Sequence, residues 1–475
     1  MSSLLARLAQ HANDRPGAQA YCADAAGSIS WRELAGGAAA VADVIGQRLS
    51  PGSVVILSCG NKIEYPIAFL GIRAAGCIAF PISPSAADAE LLRAAKDSSA
   101  LGIIGDDRSL RLFSESLKFA LPITALPSGG NAAIDRNPTG DLLLQSSGTT
   151  GEPKILRRTG ASLDAVAPAM VEAIGFTPGD RVLMTIPLTH SYGLEHGLLA
   201  PIWAGSTVHL SGLMQISAVL PELRNATILP GVPSTFEMLA ASSEANVAAP
   251  MMRIAYSAGG PLPRSVFDAF AARFGVRVCQ LYGASEIGSV TFNGPGDPFD
   301  AASVGRPMRG VSIRILDLDA NAGDANRREG HIAVRAPSMF SGYLSSTVEL
   351  IDGHFPTGDL GYLDDLGRLF ITGRLKLLID VGGLKVNPLE VESILMQHPA
   401  VEACVVVPLQ QSQTVLRLKA IVTPRTGITT IPIDELRELA RKHLAAYKIP
   451  RVFEVRDSLP RSAAGKVLRH LVETR

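Results

Sequence analysis

A glycine- and hydroxyl-rich segment ending on a lysine is the strongest chemical signal in the chain. Residues 141–154 read DLLLQSSGTTGEPK, in which an apolar strand leads directly into Ser-Ser-Gly-Thr-Thr-Gly. Glycines let backbone amides curl around phosphate oxygens, hydroxyls add donors, and a lysine supplies positive charge. The Gly-Lys-Ser/Thr ending of a Walker loop is absent from this segment. The pattern therefore favours a different phosphate-binding loop over an ordinary Ser/Gly turn.

Further short motifs follow in order and supply groups that could bind a nucleotide. An aromatic ring can stack on a base, and a carboxylate can hold a cation or accept from sugar hydroxyls. Each motif alone is typical of a polar turn, but their order along one chain favours a single site. A hydrolase nucleophile at Ser285 is set aside, because Gly288 lies one place too late for Gly-x-Ser-x-Gly. The motifs are SAGGP at 257–261, YGASE at 282–286, TGD at 357–359 and TGR at 372–374.

The stretch from Ser146 to Lys154 resembles the phosphate loop of the adenylate-forming enzymes. That superfamily includes acyl- and aryl-CoA ligases, stand-alone adenylation domains and firefly luciferase. The resemblance continues in order along nearly the whole chain, which a chance match of one loop would not do. It implies that ATP phosphates are bound by Ser146, Ser147, Gly148, Thr149, Thr150, Gly151 and Lys154.

The same resemblance assigns roles to the downstream motifs. It implies that Tyr282 stacks on adenine and that Glu286, with Thr149, coordinates Mg²⁺ bound to the ATP phosphates. Asp359 would accept from the ribose hydroxyls, and Arg374 would contact ribose or phosphate. Ser285 stands where threonine is commoner, a change that keeps the hydroxyl. The remaining nucleotide contacts are expected from Ser257, Ala258, Gly259, Gly283 and Ser285.

The C-terminal motifs imply a second reaction step and a moving domain. Lys466 in PRSAAGK matches the lysine that performs adenylation, a mobile ammonium that touches both reacting anions. Lys376 matches the hinge residue, and Gly382-Gly383 matches the backbone that the thiol donor approaches. Rotation about the hinge would exchange one face of this domain for the other, a domain alternation. Asp380 departs from the lysine or apolar residue of many relatives, and its role stays open.

The segment PLTHSYGLEHG, residues 187–197, corresponds to the lining of the acid pocket in these enzymes. The aspartate that binds an amino group in amino-acid adenylation domains is replaced by Ser191, so amino acids are disfavoured. The wall is apolar and predicts an aryl acid or a medium-length acyl acid. The role of Glu195 stays open, and the histidine spacing fits no metal motif. Predicted pocket residues are His190, Ser191, Val232, Phe236, Gly259 and Leu281, and the predicted catalytic residues are Lys466, Glu286, Thr150 and His190.

The periodicity of the sequence indicates how these residues are positioned. Short apolar strands alternate with helical segments through the first hundred residues, which predicts parallel βαβ units. Short strands with Gly/Asp turns between residues 300 and 373 predict hairpins, and the last hundred residues form a separate α/β unit. We therefore predict an α/β fold with layered N-terminal subdomains, a small β-rich subdomain and a mobile C-terminal domain. The expected boundaries are 1–373, a hinge at 374–376, and 377–475.

Composition limits the class of partner. The chain has 475 residues with 44 Lys+Arg and 44 Asp+Glu, so a general affinity for nucleic acid is not expected. Residues 441–475 carry nine Lys/Arg and three Asp/Glu, a difference of 9 − 3 = +6. Five scattered cysteines, no signal peptide and no membrane span predict a cytoplasmic protein.

Three functions stay open at this point. The first is a ligase that uses ATP and Mg²⁺ to activate an acid and passes it to CoA. The basic C-terminal region could equally serve an acidic carrier protein whose phosphopantetheine takes the acyl group. A non-catalytic nucleotide-binding relative is the third, although Lys466, Glu286 and the Thr149-Thr150 pair are all present.

Overall fold

The structure is a computed structural model in which the chain forms two units. The first unit comprises Met1–Ile313, Val334–Phe355 and Gly367–Leu369, and the second comprises Arg314–Ala333, Pro356–Leu366 and Phe370–Arg475. The structure describes residues 3–23, 27–113, 116–127, 140–146, 154–211, 216–242, 248–298, 300–317, 329–377, 379–381, 384–410, 416–428, 430–444, 446–461 and 467–473.

Helices and strands alternate along the first unit and give way to strand-rich sequence in the second. The helices are α1 (Leu4–Asp14), α2 (Trp31–Gly46), α3 (Glu64–Ala74), α4 (Asp88–Asp97), α5 (Asp107–Leu112), α6 (Gly160–Ile174), α7 (Ser191–Leu194), α8 (Ala200–Ala204), α9 (Ile216–Glu222), α10 (Pro233–Ala241), α11 (Arg264–Phe274), α12 (Pro388–Leu395), α13 (Ile433–His443) and α14 (Arg469–Glu473). A π-helical segment (Glu195–Leu199) joins α7 to α8, and 3₁₀ turns lie at Ile123–Ala125, Leu375–Leu377 and Ala446–Lys448.

The strands are β1 (Gln19–Ala23), β2 (Gly27–Ser30), β3 (Val54–Ser58), β4 (Ile78–Ile82), β5 (Gly102–Gly105), β6 (Phe119–Pro122), β7 (Leu142–Ser146), β8 (Lys154–Arg158), β9 (Arg181–Met184), β10 (Thr207–Leu210), β11 (Ile228–Gly231), β12 (Ile254–Ser257), β13 (Val278–Ala284), β14 (Gly288–Asn293), β15 (Ser303–Pro307), β16 (Ser312–Leu316), β17 (Gly330–Arg335), β18 (Gly342–Tyr343), β19 (Phe355–Leu363), β20 (Leu369–Arg374), β21 (Ile379–Val381), β22 (Leu384–Val386), β23 (Val401–Gln410), β24 (Leu416–Pro424) and β25 (Val452–Val455).

Two large sheets organise the first unit. One has the strand order β18-β8-β7-β4-β3-β5-β6, and the other runs β15-β14-β13-β12-β11-β9-β10-β1-β2. The pairs β3–β4, β3–β5, β11–β12 and β12–β13 are parallel, as the alternation of helix and strand predicts. Side chains from helices α9, α10 and α11 and from strands β9, β11, β12 and β13 form an apolar core beneath the second sheet. Because β11, β12 and β13 run parallel, their carboxyl ends meet at one edge.

The sequence rules for helix starts are visible at two helices. The Ser30 hydroxyl accepts from the backbone N–H of Glu33, and the Glu33 carboxylate accepts in return from the Ser30 backbone, a reciprocal cap at the start of α2. Asn387 caps α12 in the second unit by accepting from the backbone N–H of Leu389. Both caps fix the starts of their helices.

The second unit carries its own sheets and core. Strands β16, β17, β19 and β20 lie side by side in that order, β21 pairs with β22, and β23, β24 and β25 form a three-stranded sheet. The helical pattern of IDELRELARKHLAAY predicts a helix from Ile433 through Tyr447, but α13 ends at His443 and Leu444 is extended. The sequence also predicts a terminal helix from Lys466, and the helix of the structure begins at Arg469. The predicted domain boundary at residue 373 and the hinge at 374–376 stay predictions.

The structure shows the surroundings of the cysteines and the length of the helices. All five cysteines are buried and free of disulfides. Within the described ranges, no helix is long and apolar enough to cross a bilayer.

Candidate active site

The carboxyl edge of the second sheet brings three sequence motifs together in the first unit. Ser257 at the end of β12 pairs in register with Gly231 of β11 and with Gln280 of β13. The residues that follow these positions, Val232 and Leu281, therefore lie at the same edge. The Ser257 hydroxyl is buried, and among the described residues nothing is hydrogen-bonded to it. An unpaired buried hydroxyl here is available to a polar group of a ligand.

Gly259 opens the same edge for close approach. Its φ of +86° lies in the left-handed region, and a Cβ there would meet only Val232 Cγ1, at 3.9 Å. The backbone conformation, more than lack of space, therefore requires glycine at this position. Tyr282 lies near the end of the neighbouring strand, β13, and 8% of its surface is exposed. Phe236 is fully buried and packs edge-on against Phe270 at 5.1 Å, so it supports the edge from the core.

The short helix α7 places His190 and Ser191 beside this edge. The His190 ring is exposed, yet desolvation by surrounding protein lowers its pKa, which favours the neutral ring at pH 7. The Ser191 hydroxyl lies 3.1 Å from the Ser285 hydroxyl, and the Tyr192 hydroxyl donates to the Gly231 carbonyl at 3.1 Å. The acid-pocket segment and the Ser285–Glu286 turn are thus in direct contact.

Glu286 lies on the turn between β13 and β14, and Tyr343 fixes its side chain. The Tyr343 hydroxyl donates to Glu286 Oε1 at 2.9 Å, and the Phe340 backbone N–H donates to the Glu286 carbonyl at 2.8 Å. The Lys154 ammonium lies 5.1 Å from the centre of the Tyr343 ring. Burial and the nearby carboxylate raise the pKa of Tyr343, so the phenol stays protonated and donates. One tyrosine therefore joins the end of the phosphate-loop segment to Glu286.

A buried ion pair lies behind that turn. An Arg158 Nη1–H donates to Glu195 Oε1, and both side chains are almost wholly buried. The other carboxylate oxygen, Glu195 Oε2, accepts from the Ser289 backbone N–H at 2.9 Å and from its hydroxyl at 2.7 Å. Glu195, whose role the sequence left open, therefore faces the protein interior and holds the start of β14.

The hydrogen bonds continue from Ser289 through a neutral histidine. His196 Nε2 lies 3.0 Å from the Ser289 hydroxyl, and His196 Nδ1 lies 2.6 Å from the Tyr256 hydroxyl. Burial lowers the pKa of His196 to about 3, so the ring is uncharged at neutral pH. Since Ser289 donates to Glu195, its oxygen accepts from Nε2–H, and Nδ1 accepts from Tyr256. Each group thus donates to the next, from Tyr256 through His196 and Ser289 to the Glu195 carboxylate.

Gly288 lies against the ion pair, and its replacement gives a testable prediction. Its φ is +72°, and a Cβ would lie 3.0 Å from Glu195 Oε1 and 3.2 Å from Arg158 Nη2. Gly275 is a matched control, since its φ is +70° and nothing lies within 4 Å of its Cβ position. We expect Gly275→Ala to lower the free energy of unfolding by about 1 kcal/mol and Gly288→Ala to lower it by about 2 kcal/mol or more.

Chemical denaturation of the two alanine variants measures that difference. The control isolates the backbone cost, so the excess loss in Gly288→Ala reports crowding of the buried pair. Equal losses would show that the pair moves aside without cost.

A second polar cluster lies wholly within the second unit. Arg374 Nε donates to Asp359 Oδ1 at 2.7 Å, and Asp359 is 4% exposed. The Gly358 backbone N–H donates to His331 Nε2 at 2.8 Å, so His331 carries its proton on Nδ1 when neutral. Burial lowers the pKa of His331. Asp359 and Arg374, both predicted to contact the nucleotide, are therefore partners, and His331 fixes the backbone of β19 just before Asp359.

The structure brings together many of the predicted residues, while several lie outside the described ranges. In the first unit, Val232, Ser257, Ala258, Gly259, Leu281, Tyr282, Gly283, Ser285 and Glu286 lie on the strand ends or the adjoining turn, with His190 and Ser191 on α7 and its cap. In the second unit, Asp359 and Arg374 are paired, and Lys376 lies in a 3₁₀ turn. Ser146 ends β7 and Lys154 begins β8. Outside the described residues lie Ser147, Gly148, Thr149, Thr150, Gly151, Gly382, Gly383 and Lys466.

Two residues at these clusters, Tyr343 and His331, have no counterpart in the sequence motifs. Tyr343 reaches Glu286 because β18 pairs with β8, a contact between segments far apart in the chain. His331 lacks a local signal for the same reason. A signal did exist for the ion pair on one side, because Glu195 is the single carboxylate in the stretch SYGLEHGLLAPIW, and a carboxylate needs a partner when it is buried.

Comparison with known proteins supports the same family resemblance over most of the chain. The model of the AMP-binding enzyme family matches residues 8–344, and that of the AMP-binding enzyme C-terminal domain matches residues 390–466. A probable CoA ligase of Humulus lupulus is 30% identical, over 88% of this chain and 78% of its own length. An oxalate–CoA ligase of Arabidopsis thaliana is 28% identical, over 89% of this chain and 88% of its own.

Comparison with solved structures gives the same family assignment as the sequence relatives. ATP-bound MatB from Rhodopseudomonas palustris superposes with a TM-score of 0.89 at 26% identity, covering 100% of this chain and 99% of its own. The predicted α/β fold, with a large N-terminal part and a small C-terminal one, is thereby confirmed. The chain belongs to the AMP-binding enzyme family, and CoA ligases resemble it over most of its length.

Proposed function

We propose that this protein is an AMP-forming ligase that joins a carboxylic acid to CoA at the expense of ATP. The observation that carries the proposal is the contact of Tyr343 with both Lys154 and Glu286. It brings the end of the phosphate-loop motif to the carboxylate of the YGASE motif, as a shared ATP site requires. The naming of the relatives as CoA ligases supports the same reaction.

The first step forms an acyl-adenylate. A carboxylate oxygen of the acid attacks the α-phosphorus of ATP, and the bond to the leaving pyrophosphate breaks. Because several anions meet at this point, the residues around them must supply positive charge and fixed donors. Lys154 and Lys466 would supply charge, Asp359 and Arg374 would hold the ribose, and Tyr282 would pack against the base.

Mg²⁺ is part of the proposal, and Glu286 is suited to hold it. Its Oε1 atom is engaged by Tyr343, while within the described part of the chain no hydrogen bond reaches Oε2. Protein-bound Mg²⁺ in nucleotide sites takes one or two carboxylates together with substrate phosphates and water. Among the described residues, no three His, Cys, Asp or Glu side chains form a cluster. The ion would offset phosphate charge, and Thr149 would be the second protein ligand.

The second step transfers the acyl group. The thiolate of CoA attacks the acyl carbonyl, the bond to AMP breaks, and the thiol proton is released to solvent. In the proposed domain alternation, the backbone at Gly382 and Gly383 lies beside the incoming thiol and Lys376 is the pivot. The cytoplasm, where CoA and reduced cysteines occur together, is the proposed location.

The acid is proposed to be a monocarboxylate with an aromatic or medium-length aliphatic tail. Val232 and Leu281 are apolar, and Ser257 offers one buried hydroxyl. Among the described residues, the fully buried arginines are Arg73 and Arg158, and each already lies beside a carboxylate, Asp164 or Glu195. A second carboxylate on the substrate would therefore lack a counter-charge. The proposed substrate therefore differs from oxalate, a dicarboxylate that appears in the name of one of the relatives.

CoA is proposed as acceptor on the basis of a basic cavity in the second unit. A surface cavity of about 360 Å³ is lined by Arg437, Arg441, Ile449, Pro450 and Arg451. Arg437 is paired with Asp434 at 3.2 Å, while Arg441 and Arg451 are exposed at the cavity. Guanidinium groups bind phosphate in bidentate fashion, so the cavity suits the 3′-phosphate of CoA.

Purified protein with ATP, Mg²⁺ and a panel of acids tests the reaction. We expect ATP–pyrophosphate exchange with aryl or medium-chain acids, little with oxalate or malonate, and thioester formation with CoA. No exchange with any acid would contradict the ligase and favour a non-catalytic relative. Product formed only with a carrier protein's phosphopantetheine would identify that protein as the acceptor.

The role of the cavity is tested by comparing CoA with dephospho-CoA. In Arg441→Ala/Arg451→Ala we expect KM for CoA to rise about tenfold and KM for dephospho-CoA to stay unchanged. The acid-dependent exchange reaction, which needs no CoA, is the internal control. An equal rise in both KM values would show that the arginines do not bind the 3′-phosphate.

A further inference from the structure

The buried pair of Arg158 and Glu195 is poorly explained by stability alone. Burying two charges costs free energy that their attraction only partly returns, and apolar side chains of similar size often stabilise a fold equally well. Arg158 also keeps two buried nitrogens, Nε and Nη2, that are not hydrogen-bonded to any described residue. An arrangement this costly points to a function that apolar side chains could not supply.

The contacts of Glu195 indicate what that function is. Glu195 and Ser191 lie four residues apart on one helical stretch and contact Ser289 and Ser285, which are also four residues apart. The helical stretch is therefore hydrogen-bonded to both ends of the turn that carries Glu286. Neither contact touches the Glu286 carboxylate itself, so the effect on it is indirect.

Other contacts fix the middle of the same turn. The Ser338 hydroxyl donates to the Ile287 carbonyl at 2.5 Å, and Phe340 and Tyr343 bind Glu286. With Glu195 removed, Ser289 would lose both of its bonds to the carboxylate. That flank of the turn would then be held only by strand pairing with β13 and by His196. Because ligand geometry must be held to within a fraction of an ångström, a loosened turn weakens cation and phosphate binding.

We infer that the Arg158–Glu195 pair is a positioning device for Glu286, with Glu195 holding the turn and Arg158 holding the Glu195 carboxylate in place. The inference rests on the proposed function, in which Glu286 binds the Mg²⁺ of ATP. It makes Glu195 and Arg158 positioning residues, since neither reaches the substrate. The same helical stretch begins at the acid pocket, so the pair also ties that pocket to the ATP-binding turn.

The test separates positioning from stability with a paired apolar replacement. Arg158→Met/Glu195→Met removes both charges at similar volume, and we expect its thermal midpoint to be near that of the wild type. We also expect its Kd for Mg²⁺ with a non-hydrolysable ATP analogue, measured by calorimetry, to rise about tenfold or more. The Mg²⁺ concentration for half-maximal exchange should rise in parallel, whereas thioester formation from supplied acyl-AMP should change little.

A second buried pair provides the matched control. Arg73 is fully buried 3.5 Å from Asp164 in the same unit, and neither residue is hydrogen-bonded to the turn. Arg73→Met/Asp164→Leu should leave the Mg²⁺ dependence unchanged whatever it does to stability. Ser289→Ala, a milder change, should raise the Kd in the same direction even if the double variant fails to fold.

Two outcomes would overturn the inference in distinguishable ways. Wild-type affinity for the Mg²⁺–analogue complex in both the paired variant and Ser289→Ala would show that the pair is merely structural. If the paired variant does not fold, wild-type affinity in Ser289→Ala has the same meaning. Absence of acid-dependent exchange in the wild type would contradict the proposed function, and the inference would fall with it.

Discussion

Replacing Lys466 with alanine is expected to lower acid-dependent ATP–pyrophosphate exchange by about a thousandfold while thioester formation from supplied acyl-AMP persists. The physical reason is that only the first step brings the carboxylate and the α-phosphate together. An ammonium that touches both groups offsets their repulsion and the charge that builds up in the transition state. The second step starts from an adenylate in which that repulsion is already gone.

The two half-reactions can be measured separately on one preparation of the variant. Exchange of labelled pyrophosphate reports the first step, and CoA consumption with synthetic acyl-AMP reports the second. Lys442→Ala is the control, because this lysine is exposed in the last turn of α13 and belongs to no proposed site. Equal loss of both half-reactions in Lys466→Ala would refute the division of labour.

Glu286→Gln is expected to lower exchange by about a hundredfold without unfolding the protein. Glutamine has the same shape and its carbonyl still accepts from Tyr343, so the turn should keep its geometry. What is lost is the negative charge that a hard divalent cation requires. Exchange rates measured against Mg²⁺ concentration, together with the thermal midpoint, report the two effects independently.

Tyr343→Phe separates the charge of Glu286 from its placement. This change removes one hydrogen bond to the carboxylate but leaves its charge, and the phenyl ring still faces Lys154. The loss of exchange should therefore be about tenfold, smaller than for Glu286→Gln. If Glu286→Gln exchanged pyrophosphate as the wild type does, Glu286 would not be the metal-binding carboxylate.

Much of the fold was predictable because its signals are local. The Ser30 cap fixes the start of α2, Asn387-Pro388 fixes the start of α12, and short apolar runs mark β3, β4 and β5. The errors lie at helix ends, where sequence signals compete. The sequence from Ile433 to Tyr447 has helical periodicity throughout, yet the chain becomes extended at Leu444.

The site was predictable where motifs carry it and unpredictable where the fold joins distant segments. Tyr282, Glu286 and Asp359 were predicted because each lies in a short motif. Tyr343 and His331 act through contacts that depend on strand pairing, which no local pattern encodes. The assignment of Phe236 to the pocket wall came from position alone, and the structure places its ring in the core.

The buried ion pair also restricts how this sequence can change over time. A single substitution at position 158 or 195 leaves one uncompensated charge in the interior, at a cost of about 3–5 kcal/mol. The two positions are therefore expected to be epistatic and to be exchanged together or not at all. A chimera that imports the segment around residue 195 from a relative with an apolar residue there should express poorly until position 158 is changed with it.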